Sequence, residues 1–146
     1  MPVGAQPVQP PYVGPPFDEA RVHDAMRVGV VTCRPTTTLA DAAKMMIGYG
    51  IHSVVVSDPD VPDRPWGIVS ALDIARATAE GNLGATAGEV AVEDLLSIPA
   101  DASLRRAAQL MADRGVSHLI ATSPDTGHPV GVVSALGLAA AAAQER

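Results

Sequence analysis

The amino-acid sequence predicts a mixed α/β (α+β) protein built of two β-α-β-β-α units that pack sheet to sheet about a pseudo-twofold axis. Three observations carry this expectation. The heptad GIVSALD at Gly67 to Asp73 returns as GVVSALG at Gly131 to Gly137. The stretch Pro35 to Ser57 aligns with Ala100 to Thr122 at a constant offset of 65, which falls to 64 at the heptads after one deletion. In each half the hydrophobic period also switches in the same order, from helical spacing to strand spacing and back, as a repeated supersecondary unit requires. A core of roughly 65 residues seldom supplies more than ~3 to 5 kcal/mol, so each half is expected to pack on the other.

The elements follow in chain order. A short leading helix is predicted over Glu19 to Met26 and again near Glu89 to Leu95. Leu39, Ala42, Ala43, Met46 and Ile47 form an apolar stripe behind the N-cap residue Thr38, with Asp41 three positions on. Leu104, Ala107, Ala108, Met111 and Ala112 repeat it behind Ser103. Gly50 and Gly115 mark the helix ends, and HSVVVS from His52 and SHLIAT from Ser117 read as buried strands. Turns rich in Pro, Asp and Gly lead into the strands WGIVS from Trp66 and PVGVVS from Pro129, which makes a hairpin in each half. Ala71 to Glu80 and Ala135 to Gln144 read as closing helices. The repeat divides the chain into a Pro-rich tail over residues 1–17, a first motif over 18–83 and a second over 84–146.

Composition excludes several functions. With one Trp, two Tyr and one Phe, the chain has few platforms for stacking bases, and a net charge of -6 opposes a phosphate backbone, so no nucleic-acid partner is expected. Cys33 is the only cysteine, which rules out an intrachain disulfide and implies a reducing, cytoplasmic location. No run of 18 apolar residues exists and the N-terminus has no basic, apolar leader, so neither a membrane span nor secretion is expected. His23, His52, His118 and His128 lack metal-ligand spacing. Asp58, Asp60 and Asp63 lack the glycine and glutamate of a calcium loop and read as a solvated turn. No nucleophile, base and orienting acid can be assembled, and an enzyme is not expected.

The heptad itself supports two readings. Ser70 ends a strand where a helix begins, and Asp73 lies in that helix's first turn. Backbone amides and a hydroxyl at a helix N-terminus suit a phosphate, while an acid beside them suits the two hydroxyls of a ribose. The same S-x-x-D spacing also describes a capping box that merely closes the first turn. Spacing alone leaves both open. At Gly137 the second copy has no carboxylate, so two equivalent sites are not expected.

Taken together, VHDAM at Val22 to Met26, the helices PTTTLADAAKMM and ADASLRRAAQLM, the strands GIHSVVVSD and GVSHLIATS, and the paired heptads resemble a tandem cystathionine-beta-synthase (CBS) domain pair, or Bateman module. The resemblance covers roughly Asp18 to Ala143. It implies a regulatory module that binds an adenosine compound in a cleft between the motifs, with AMP or ATP foremost and NAD or S-adenosylmethionine as further candidates, and that signals to a protein target not identified. No cofactor is required. The family pattern places Gly67, Ser70 and Asp73 in the ligand site. By position it adds Val31, Thr32, Ile51, His52 and Ser53 around the adenine, Arg76 toward a phosphate, and His118 and Ser134 from the second half. A homodimer formed through the helices is implied as well. The alternative is a ligand-free structural module for dimerisation or protein interaction.

Overall fold

A computed structural model of the chain describes residues 12–61, 64–91 and 95–144. Most of the predicted tail and part of the second leading helix lie outside these residues. A 3-10 turn at Phe17–Glu19 precedes helix α1 (Val22–Ala25) and strand β1 (Arg27–Val28). Then come β2 (Thr32–Cys33), α2 (Leu39–Tyr49), β3 (Ser53–Ser57), β4 (Pro65–Ser70) and α3 (Ala71–Glu80). The second copy runs α4 (Ala87–Val90), β5 (Ser97–Pro99), α5 (Leu104–Arg114), β6 (His118–Thr122), β7 (Pro129–Ser134) and α6 (Ala135–Ala142). The expected mixed α/β architecture with two sheets is present, and both hairpins and both closing helices fall where the periodicity puts them.

Each helix starts and stops for a local reason. Thr38 accepts a hydrogen bond from the Asp41 amide at 3.2 Å, and Ser103 does the same for Arg106 at 3.1 Å, which satisfies a backbone donor that has no partner within the helix. Gly50 and Gly115 close α2 and α5 at φ 65°, a left-handed conformation that costs other residues more. The leading helix of the second copy begins earlier than the sequence predicts. Thr86 donates from its amide and hydroxyl to Glu89 at 2.8 and 3.1 Å, and this capping box starts α4 at Ala87.

The chain forms two compact units that interleave along the sequence. The central unit, Val31–Leu95, holds the sheet β2-β3-β4, with β2 and β3 parallel and β3 and β4 antiparallel. The split unit combines Met1–Val30 with Leu96–Arg146 and holds the sheet β1-β7-β6-β5. Its own core gathers Val22, Leu104, Met111, Leu119 and Val133, and the central unit's gathers Leu39, Met46, Val54, Val56 and Val69. The repeat boundaries and the packing units therefore differ: each unit takes its leading helix from the other repeat. The hydrogen bonds that hold the exchange repeat residue for residue at an offset of 65. Val22 and His23 donate to the carbonyls of Ala102 and Ala100, and Leu104 to that of Ala20. In the central unit Ala87 and Gly88 donate to Thr37 and Pro35, and Leu39 to Ala85.

Three local readings need correction. Ile47, expected in the apolar stripe of α2, is 84% exposed, and Ala112 of α5 is exposed too, because each helix buries only Leu, Ala and Met positions on a narrower face. Asp58 is not a solvated turn residue. It is buried, accepts from the Asp60 and Val61 amides at 2.8 and 3.2 Å, and pairs with Arg64 at 2.6 Å.

Candidate functional site

The sheet of the central unit brings most of the expected residues to one edge. Because β2 and β3 run parallel and β4 antiparallel, the starts of β2 and β3 meet the end of β4. Ser70, last in β4, is the cross-strand partner of Ser53, first in β3. His52 precedes Ser53 and its carbonyl accepts from the Ala71 amide at 2.8 Å, which fixes the start of α3 beside the strand. Val31 and Thr32 stand at the head of the neighbouring strand, where the Val31 carbonyl accepts from Val55 at 3.0 Å. Thr32 is exposed, and Val31 is half-buried.

Ser70 and Asp73 are locked together. Ser70 has an extended backbone, φ -105° and ψ 168°, and caps α3. Its amide and hydroxyl donate to Asp73 Oδ2 at 2.8 and 3.0 Å, and its Oγ lies 3.3 Å from the Asp73 amide. The capping box left open by the spacing is therefore formed. It occupies only one carboxylate oxygen. A carboxylate offers about four acceptor sites on two oxygens, and Oδ2 takes both bonds from Ser70. Among the described residues the nearest cation to Oδ1 is Arg76 Nη1 at 3.9 Å, beyond hydrogen-bond reach. The Asp73 side chain retains 16% exposure, so a cap and an acceptor of ligand hydroxyls are compatible in the same group.

The remaining residues divide. His52 Nε2 is buried with no hydrogen-bond partner among the described residues, an arrangement that normally costs about 1 to 3 kcal/mol and calls for a partner. Ile51 packs against the core of the central unit. Gly67 pairs with Val56 three residues inside β4, on the face opposite to Ser70 by strand alternation, and is buried. The geometry does not bring it to Ser70 and Asp73. Cys33 is buried at the end of β2, and burial pushes its thiol up against the lowering effect of the Thr37 hydrogen bond, which makes it a poor nucleophile. Among the described residues no group of three or more His, Cys, Asp or Glu could hold a metal, and no helix is long and apolar enough to cross a membrane.

The equivalent edge of the split unit keeps half of this arrangement. Ser134 pairs with His118 across the strands, and its Oγ accepts from the Gly137 amide at 3.0 Å. His118 Nδ1 lies 3.0 Å from Ser117 Oγ. The carboxylate is missing at Gly137, and the position matching Arg76 is Ala140. His118 and Ser134 thus lie in the sheet of the split unit, while Asp73 follows the last strand of the central sheet. The sequence reading missed the pairing of Arg76 with Asp73, although their i,i+3 spacing on one helix is a signal for it.

A family model described as CBS domain matches residues 22–80 and 87–143. A curated relative, Uncharacterized protein MK0525 of Methanopyrus kandleri, is 30% identical over 118 residues, 77% of this chain, and the chain spans 58% of that relative's length. Among solved structures, a CBS domain protein of Pyrobaculum aerophilum complexed with AMP aligns with a TM-score of 0.70 at 24% identity, over 81% of this chain and 89% of that one. The CBS domain pair of protein MJ0100, in complex with 5'-methylthioadenosine and S-adenosyl-L-methionine, aligns with a TM-score of 0.69 at 22% identity, over 82% and 93%. At these identities the likeness is one of fold.

Proposed function

The chain belongs to the CBS domain family as a tandem pair, and on that premise we propose that it is a regulatory module that binds an adenosine-containing ligand, AMP or ATP foremost, at the edge of the central sheet. The observation that carries this reading is the divided carboxylate of Asp73: Oδ2 closes the helix, and Oδ1 has no hydrogen bond among the described residues. Oδ1 and the remaining acceptor capacity of the group receive the ribose hydroxyls. His52 Nε2 gains the polar partner it lacks. Ser53 and Thr32 stand at the same edge, and Val31 supplies apolar contact for the base. The AMP, 5'-methylthioadenosine and S-adenosyl-L-methionine named with similarly folded proteins share the adenosine group this edge would grip. The second edge, with Gly137, does not form an equivalent site.

Ligand binding would be passed to a protein target through self-association of the module. Ile47, Tyr49 and Leu72 of the central unit are 84%, 63% and 59% exposed and form apolar surface for such contacts. A second reading, a ligand-free module for dimerisation, draws on the same capping box, since the cap alone gives Asp73 a purpose. Thermal unfolding with AMP, ATP, NAD and S-adenosylmethionine separates the two. At a hundredfold excess over Kd a ligand stabilises the fold by about 2.7 kcal/mol, so at least one of the four should raise Tm by several degrees. If none moves it at millimolar concentration, the ligand-free reading stands instead.

A further inference from the structure

We propose that Arg76 is a specificity-setting latch: its guanidinium occupies the vicinity of the open Asp73 oxygen and yields it to ligands that bring a phosphate. This inference rests on the adenosine-site reading above and assigns a regulatory contact within it. Arg76 Nη1 lies 3.9 Å from Asp73 Oδ1, one turn along α3, with the arginine side chain 67% exposed and the carboxylate only 16%. At that distance the attraction is electrostatic rather than a directed hydrogen bond, so the long arginine side chain is held in place without being fixed. Oδ2 is already committed to Ser70. The oxygen left for a ribose is therefore the one the cation faces.

A second observation links the two residues. Where the repeat loses the acid at Gly137, it also loses the base, since Ala140 stands where Arg76 would be. The pair is present as a unit in one copy and absent as a unit in the other. The consequence for specificity follows from charge. An unphosphorylated nucleoside must draw Oδ1 away from the guanidinium and offers only neutral hydroxyls in exchange. A nucleotide offers the guanidinium a phosphate, whose oxygens match its planar fork better than a carboxylate at 3.9 Å, so the arginine can leave Oδ1 without losing a counter-ion.

Calorimetric titration of the full chain and of Arg76→Ala with adenosine and with AMP, at low and high salt, tests the latch. In Arg76→Ala adenosine should bind about two- to fivefold tighter, the span expected for removing an exposed ion pair, while AMP binds more weakly. In the wild type, added salt should strengthen adenosine binding by screening the latch and weaken AMP binding, and in Arg76→Ala the salt effect on adenosine should vanish. Adenosine that binds Arg76→Ala no tighter than wild type overturns the latch while leaving the site reading intact. If neither compound binds the wild type, or if Asp73→Ala binds both as well as wild type does, the site reading fails and the latch with it.

Discussion

The oxygens of Asp73 separate two roles that a single substitution would merge, so the test needs a control. Asp73→Ala leaves the Ser70 N-cap but removes the reciprocal half of the capping box, and should lower stability by about 1 kcal/mol. Glu89→Ala removes the matching half of the Thr86 capping box of α4 in the same unit, where Glu89 Oε1 receives the amide and hydroxyl of Thr86. Both variants should lose stability by denaturant unfolding, but only Asp73→Ala should lose the nucleotide-induced rise in Tm. Asp58 makes a different residue-scale case. The Arg64 guanidinium, with the Asp60 and Val61 amides, holds its carboxyl below the ordinary range, and desolvation opposes this only in part. A depressed folded pKa stabilises above the unfolded value of about 3.9, and that stability is lost as pH falls through the folded value. Arg64→Ala should therefore unfold more readily than wild type at pH 7, with the gap narrowing below about pH 4. The S-x-x-D cap was legible because its partners are three residues apart. The Asp58 clamp was not, because its cation, Arg64, lies six residues on across an irregular turn and no local spacing rule pairs the two.

Elements were legible wherever a period and a cap agreed. Both closing helices and both hairpins fall where apolar spacing and turn residues coincide, and the start of α4 was misplaced because its cap, Thr86 with Glu89, lies ahead of the apolar run. What periodicity cannot disclose is which neighbour receives an element. Strand β1 pairs antiparallel with β7, Val28 opposite Gly131, and Val22 is fully buried in the core of the split unit. A methyl group at Gly131 would stand 2.5 Å from the Arg27 carbonyl oxygen and 2.8 Å from Met26 Sδ. Backbone cannot yield as a flexible side chain can, so Gly131→Ala should force β1 away from β7 and cost about 1 to 3 kcal/mol. Hydrogen exchange would locate the damage. Faster exchange should appear at Gly29, whose amide donates to Val130, and at Val22 and His23, with no change in the β3–β4 hairpin.

At the scale of the whole molecule, the repeat builds two related sheet edges, and only one of them carries the pair Asp73 and Arg76, where the other has Gly137 and Ala140. The duplicated order of elements explains why the family and the two-sheet fold could be read from residues alone. The difference between the edges was legible only as a missing acid at Gly137; that only Oδ2 receives the Ser70 bonds and Arg76 faces Oδ1 depends on side-chain rotamers that no spacing encodes. Trp66, the single tryptophan, lies on β4 four residues before Ser70 and packs against the core of the central unit. Its fluorescence should respond to a nucleotide bound at that edge and saturate at the same concentration as the thermal shift. The most direct measurement is a calorimetric titration of AMP into wild type and Asp73→Ala, read for stoichiometry as well as affinity. One AMP per chain, with binding lost in Asp73→Ala, is the expected result; two equivalent sites, or undiminished binding in the variant, would contradict the account.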